Sequence, residues 1–128
     1  MWNTQGPSPL ERKQFDKPLT SFQLIQKDLA LMYTEIIKAQ LLNLQIGRLK
    51  EEERDIPVMI SLAKGNACRE ALKIVRTCRN LLGANGISLE YKVIRHMLNL
   101  ESVFTYEGTD NVHTLILGKH ITGINAFD

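Results

Sequence analysis

Thr20 to Lys50 reads TSFQLIQKDLALMYTEIIKAQLLNLQIGRLK, and its periodicity decides the fold. Apolar residues recur at Phe22, Ile25, Leu29, Met32 and Ile36, with a second row at Tyr33, Ile37, Leu41 and Leu44. Both rows follow helical spacing, and together they make a stripe wider than a helix with one neighbour needs. The stretch is predicted to be a long helix that faces two neighbours. Pro18 disfavours helix before it, so Thr20 or Ser21 is expected to cap its start.

Downstream, the charged stretch Glu51-Glu52-Glu53-Arg54-Asp55 reads as a solvated connection. Asp55 is placed to cap a second helix, and Pro57 suits its first turn, where no amide donor is required. That helix is predicted over Pro57 to Leu82, with Val58, Leu62, Cys68, Ala71, Leu72, Val75, Cys78 and Leu82 on its apolar face. Gly65 inside it costs about 1 kcal/mol relative to Ala and is expected to mark a close helix contact. Gly83-Ala84-Asn85-Gly86 stops the helix. A third helix is expected from Glu90 to Asn99, capped by Ser88, with Tyr91, Ile94 and Leu98 on one face. Ser102 to Gly108 carries β-branched and aromatic residues, too few for a sheet. A last helix runs from Thr109 or Asp110 to Ile121, with Val112, Leu115, Ile116 and Ile121 at helical period. Long helices with short connections predict an all-α fold, an antiparallel helical bundle. Upstream, Met1 to Pro9 holds Gly, Ser and two Pro, so residues 1–10 are expected to form a flexible leader and 11–128 the folded unit.

The chain has 128 residues, with 44% apolar residues, enough for one compact domain with a modest core. Sixteen Lys+Arg against 14 Asp+Glu leave a net charge of +2, which lacks the basic footprint of a nucleic-acid binder. No apolar run approaches the roughly 18–20 residues that cross a bilayer, and no secretory leader is visible. Cys68 and Cys78 would lie about 15 Å apart along one helix, too far to pair, and are read as reduced core residues. His113 and His120 are about 10 Å apart along the last helix and His96 lies elsewhere, so no metal site is expected.

Three clusters carry possible chemistry. The first is Glu11-Arg12-Lys13-Gln14-Phe15-Asp16-Lys17-Pro18-Leu19, in which Arg12 could make paired hydrogen bonds to a phosphate; the same residues also read as a solvated loop. The second, Gly83-Ala84-Asn85-Gly86, lets a ligand approach exposed amides, or serves as a plain helix stop. The third is Tyr106-Glu107-Gly108-Thr109 before the last helix. A carboxylate beside a ring and a glycine can be desolvated, which raises its pKa and suits it to proton abstraction. The helix start behind it offers amides to an anion. Its other reading is a turn with Thr109 as cap.

In order and spacing, Arg12-Lys13-Gln14-Phe15-x-Lys17-Pro18-Leu19, Gly83-Ala84-Asn85-Gly86-Ile87-Ser88-x-Glu90-Tyr91 and Tyr106-Glu107-Gly108-Thr109 together resemble the C-terminal helical domain of acyl-CoA dehydrogenases. The glutaryl-CoA dehydrogenase branch is the most similar. Gln23-Leu24-Ile25-Gln26-Lys27, Ile46-Gly47-Arg48-Leu49-Lys50, Val93-Ile94-Arg95-His96, Asn99-Leu100-Glu101 and Leu117-Gly118-Lys119-x-Ile121-Thr122-Gly123-Ile124 resemble that branch too. The likeness covers Glu11 to Phe127.

This resemblance implies an FAD-dependent enzyme that removes hydrogen across the α,β-carbons of an acyl-CoA, with decarboxylation added in the glutaryl branch. It implies Glu107 as the base for the α-proton, Tyr106 and Gly108 along the thioester, and Thr109 and Asn111 near the flavin. Arg12, Gln14 and Phe15, with Asn80, Gly83 and Ala84, are implied as contacts to the FAD of a neighbouring subunit, so a homo-oligomer is expected. Asp16 and Ala84 stand where the family has glycines, adding a charge and a methyl. The family's N-terminal helical and middle β-domains do not fit in this length, and the domain's own first helix is expected to be missing before Glu11. The chain alone is therefore expected to be inactive, the alternative function being a non-catalytic assembly module derived from the same domain. The family implies a bacterial cytoplasmic or mitochondrial-matrix location.

Overall fold

The computed structural model describes residues 12–54 and 56–126. The expected leader, and Asp55 as a cap, fall outside these residues. A two-residue hairpin, β1 (Lys13–Gln14) and β2 (Lys17–Pro18), leads into four helices: α1 (Gln23–Glu51), α2 (Pro57–Leu81), α3 (Val93–Thr105) and α4 (Asp110–Thr122). The all-α bundle is as expected.

The core is built around α2. Buried residues Ser61, Ala63, Gly65, Cys68, Leu72, Val75 and Leu81 recur along it, so it is buried on more than one side. Cross-contacts give the directions of the chain. Cys78 Sγ lies 3.7 Å from Met32 Sδ of α1, and Arg76 pairs with Glu101 of α3 at 2.6 Å. Cys68 Sγ lies 3.9 Å from the Val103 carbonyl, so α3 runs antiparallel along the C-terminal half of α2. On the N-terminal half, Gly65 faces α4: a Cβ built there would sit 3.5 Å from His113 Cβ, the close helix contact expected of this glycine.

The structure moves several boundaries. The cap of α1 is Phe22 and makes no side-chain hydrogen bond, so neither Thr20 nor Ser21 fills that role. Leu19–Ser21 forms a 3-10 turn instead, in which Ser21 Oγ donates to the Pro18 carbonyl at 2.7 Å. Pro57 opens α2 as predicted. Ser88 caps the short turn Leu89–Tyr91, accepting from the Glu90 amide at 3.3 Å, and does not cap α3. Lys92, at φ +61°, separates that turn from α3, which then runs on through Ser102–Thr105. Packing of Val103 against α2 overrides the weak helix propensity of these β-branched residues. Thr109 caps α4, accepting from the Val112 amide at 3.4 Å.

The stripe on α1 finds one wall within this chain. Met32 is buried, whereas Tyr33, Leu41 and Leu44 are 67%, 60% and 52% exposed. The second neighbour expected for α1 is not among the described residues. Between α1, α2 and α3 lies an apolar groove of about 840 Å³, lined among others by Leu29, Met32, Ile36, Ile74, Cys78 and Leu100.

Candidate functional site

The first two sequence clusters meet at the C-terminal end of α2. Arg12 Nη1 donates to the carbonyl of Leu82 at 2.8 Å and to that of Leu81 at 3.4 Å. A helix leaves its last carbonyls without partners, and a cation there also answers the helix dipole. Gly83 follows at φ +60°, and a Cβ on it would lie 3.3 Å from Arg12 Nη1. Asn80 and Ala84 are exposed beside it. Ala84 is not among the residues with positive φ, so the 3-10 turn Gly83–Ile87 accepts its methyl.

The segment, read either as an anion contact or as a solvated loop, is a solvent-exposed hairpin with Lys13 opposite Pro18 and Gln14 opposite Lys17. Phe15 and Asp16 occupy its turn at φ +52° and +60°. Two consecutive positive φ values make the tight hairpin turn that favours Asn, Asp and Gly. Asp16 is thus a tolerated replacement for glycine, while Phe15 bears the strain. Its ring is 86% exposed and meets Phe22 edge-on with centroids 6.3 Å apart. Gln14 is exposed as well.

The third cluster sits at the other half of α2. Tyr106 ends α3, Glu107 adopts φ +56° and Gly108 φ +89°, and Thr109 begins α4. Lys64 Nζ donates to the Tyr106 carbonyl at 3.0 Å and to the Gly108 carbonyl at 2.6 Å. One turn further along α2, Arg69 pairs with Asp110 in the first turn of α4. Behind Gly108, the buried His113 ring leaves little room for a side chain, since a Cβ would lie 3.0 Å from its Nε2. Neither nitrogen of His113 has a hydrogen-bond partner among the described residues.

Tyr106, Glu107, Thr109 and Asn111 are all exposed around this turn. The desolvation expected of Glu107 is therefore not supplied by this chain, because its turn stands at the surface. Nor does the chain unite all three clusters. From Arg69 to Leu81 is about 18 Å along the helix axis, so α2 carries two separate groups. Sequence reasoning missed Lys64, Arg69 and Asp110, and weighed His113 only as a metal ligand. Acid in the first turn of α4, at Asp110, was the one available signal for the Arg69 partner.

Four helices, gathered around α2, define an all-α bundle. Residues 10–122 match the family model for the acyl-CoA dehydrogenase C-terminal domain, and the chain belongs to that family. It is 51% identical to the glutaryl-CoA dehydrogenase of Mycobacterium smegmatis, whose structure is a complex with FADH2. The match covers 94% of this chain and 31% of that one, with a TM-score of 0.91. The glutaryl-CoA dehydrogenase of Desulfococcus multivorans is 31% identical over 115 residues, 89% of this chain and 30% of that protein. The short-chain specific acyl-CoA dehydrogenase of Megasphaera elsdenii is 34% identical over 108 residues, 84% of this chain. The chain spans 28% of that relative's length.

Proposed function

We propose that residues 11–128 act as the C-terminal part of an FAD-dependent, glutaryl-CoA dehydrogenase-like enzyme that dehydrogenates an acyl-CoA at its α,β-carbons. The observation that carries this reading is the turn at Glu107: an exposed carboxylate at positive φ, between two carbonyls held by Lys64, in a chain 51% identical to a glutaryl-CoA dehydrogenase.

Glu107 is the base. Its carboxylate takes the α-proton as that C–H bond breaks, and the electron pair left behind closes the double bond as the β-hydrogen departs as hydride. The flavin, when bound, supplies the acceptor for that hydride. Tyr106 and Gly108 line the thioester, and Thr109 and Asn111 hold the flavin end from the start of α4. Parts of the enzyme outside this chain must cover Glu107, since a base for so weak an acid needs a dry site.

The second group fits a dinucleotide pyrophosphate. Arg12 uses Nη1 on the α2 carbonyls, so its other guanidinium donors remain for phosphate oxygens, and Gly83 keeps the approach open. Gln14, Phe15, Asn80 and Ala84 complete this contact, made to the FAD of a neighbouring subunit in a homo-oligomer. The separation of the two groups along α2 supports assigning them to different FAD molecules. The enzyme works in a bacterial cytoplasm or a mitochondrial matrix.

Replacing the matching part of the Mycobacterium smegmatis enzyme with residues 12–126 tests the reading. The chimera is expected to oxidise an acyl-CoA, and Glu107→Gln to slow turnover by a factor of about 10²–10⁴. Unchanged turnover in Glu107→Gln would remove the base assignment. The isolated chain is expected to be inactive and to leave flavin fluorescence unchanged on titration with FAD. A second reading, a non-catalytic assembly module, is favoured by the apolar groove beside α1; an inactive chimera that still assembles would support it.

A further inference from the structure

The backbone at Glu107 is strained, and its support comes from α2. A glutamate at φ +56° has its Cβ crowded against its own backbone, a conformation that L-residues keep only where their surroundings hold it. The surroundings are specific. The Lys64 ammonium binds the carbonyl on each side of Glu107, at 3.0 Å to Tyr106 and 2.6 Å to Gly108. These two carbonyls converge on one cation only while the residue between them keeps its turn. Below the turn, the His113 ring packs close under Gly108, 3.0 Å from where a Cβ would stand. Beyond it, the Arg69–Asp110 pair ties the first turn of α4 to α2.

We infer that Lys64 is a positioning residue that presets the backbone of Glu107, with His113 as the packing floor, before any other part of the enzyme contributes. A lysine on a helix surface is ordinarily spent on solvent or on a carboxylate. Among the described residues this one makes no ion pair with Glu107 and binds only its neighbours' carbonyls, so it can orient the carboxylate without neutralising it. A base held by its main chain and left free at its side chain suits proton abstraction, because the ammonium does not hydrogen-bond the group that must accept the proton. The functional meaning of the device rests on reading Glu107 as the base; the device itself is a property of this chain.

The test uses the 128-residue chain, isotope-labelled for NMR, without flavin or substrate. A residue at positive φ gives an unusually strong cross-peak between its own amide and α-protons. Lys64→Met keeps the apolar stem and removes the donors. It is expected to lower the left-handed population of Glu107 by roughly tenfold, the scale of losing a charge-assisted hydrogen bond, while α2 and α4 signals stay in place. Lys64→Arg, with donors for both carbonyls, is expected to restore the cross-peak, which a merely space-filling role for Lys64 would not require. An unchanged Glu107 cross-peak in a folded Lys64→Met chain overturns the inference. If that variant does not fold, the unsubstituted chain decides. Scalar coupling between Lys64 Nζ and the Tyr106 and Gly108 carbonyl carbons is expected, and its absence at low temperature overturns the inference equally. A preset turn combined with full turnover in the Glu107→Gln chimera would reject the base assignment and leave the positioning role of Lys64 intact.

Discussion

Arg12 Nη1 lies 2.8 Å from the carbonyl of Leu82, across seventy residues of sequence, and closes the C-terminal end of α2 with a charge. The bond ties the β-hairpin to the helix that forms the core. Arg12→Ala leaves the Leu82 carbonyl without this donor and removes a cation from the negative end of the dipole. The expected loss is about 1–2 kcal/mol, read as a lower urea midpoint with an unchanged slope.

The glycines divide into those with space and those without. A Cβ on Gly86 would lie 2.2 Å from the carbonyl oxygen of Arg79, a backbone atom that cannot swing aside. Gly86→Ala is expected to cost more than about 4 kcal/mol and to abolish cooperative unfolding. Gly47, within α1, has nothing within 4 Å of its Cβ position. Gly47→Ala is expected to raise stability by up to about 1 kcal/mol, because alanine is the better helix former. Thermal melts of the two variants in parallel check both directions.

The helices were legible because apolar spacing is a local signal: α1 and α2 announce themselves at Ile25, Leu29 and Met32 and at Cys68, Leu72 and Val75, and Pro57 marks a start. The hairpin was not, since its turn depends on positive φ at Phe15, a residue type that does not advertise it. The break before α3 was hidden for the same reason at Lys92. At the candidate site, Glu107, Gly108 and Thr109 could be read as a motif, and Thr109 does cap α4. Lys64 could not, because its partners lie 42 and 44 residues away and a helical lysine carries no sign of which face it uses.

Cys78 lies on the wall of the groove, where burial pushes its thiol pKa above the ordinary 9.0, against a smaller opposing effect of a backbone hydrogen bond. The unfolded chain therefore loses this proton at lower pH than the folded one. The stability contributed by the neutral thiol is full below the unfolded pKa and is lost as pH rises through the folded one. As pH rises from neutrality past 9.0, the stability of the natural chain is expected to fall relative to Cys78→Ala. Matched urea titrations of the two chains across that range read the difference. Alkylation of Cys78 at neutral pH is expected to be slower than that of a free thiol in solution, since the thiolate is the nucleophile.

The groove itself predicts association. Its walls at Leu29, Ile36, Ile74 and Leu100 are apolar, and α1 also exposes Tyr33, Leu41 and Leu44. Exposed apolar patches of several hundred Å² seldom stay bare in water, and apolar burial contributes about 25 cal/mol per Å² toward covering them. In the isolated chain another copy is the available cover, so light scattering at micromolar concentration is expected to give more than the monomer mass. Ile36→Lys places a charge on the groove wall, at a position exposed enough for the folded monomer to accept it. This variant is expected to shift the mass toward the monomer with α1 helicity retained, and to speed alkylation of Cys78 as the groove opens. A monomer mass for the natural chain, or equal association by Ile36→Lys, would mean that the groove is not the surface through which copies meet.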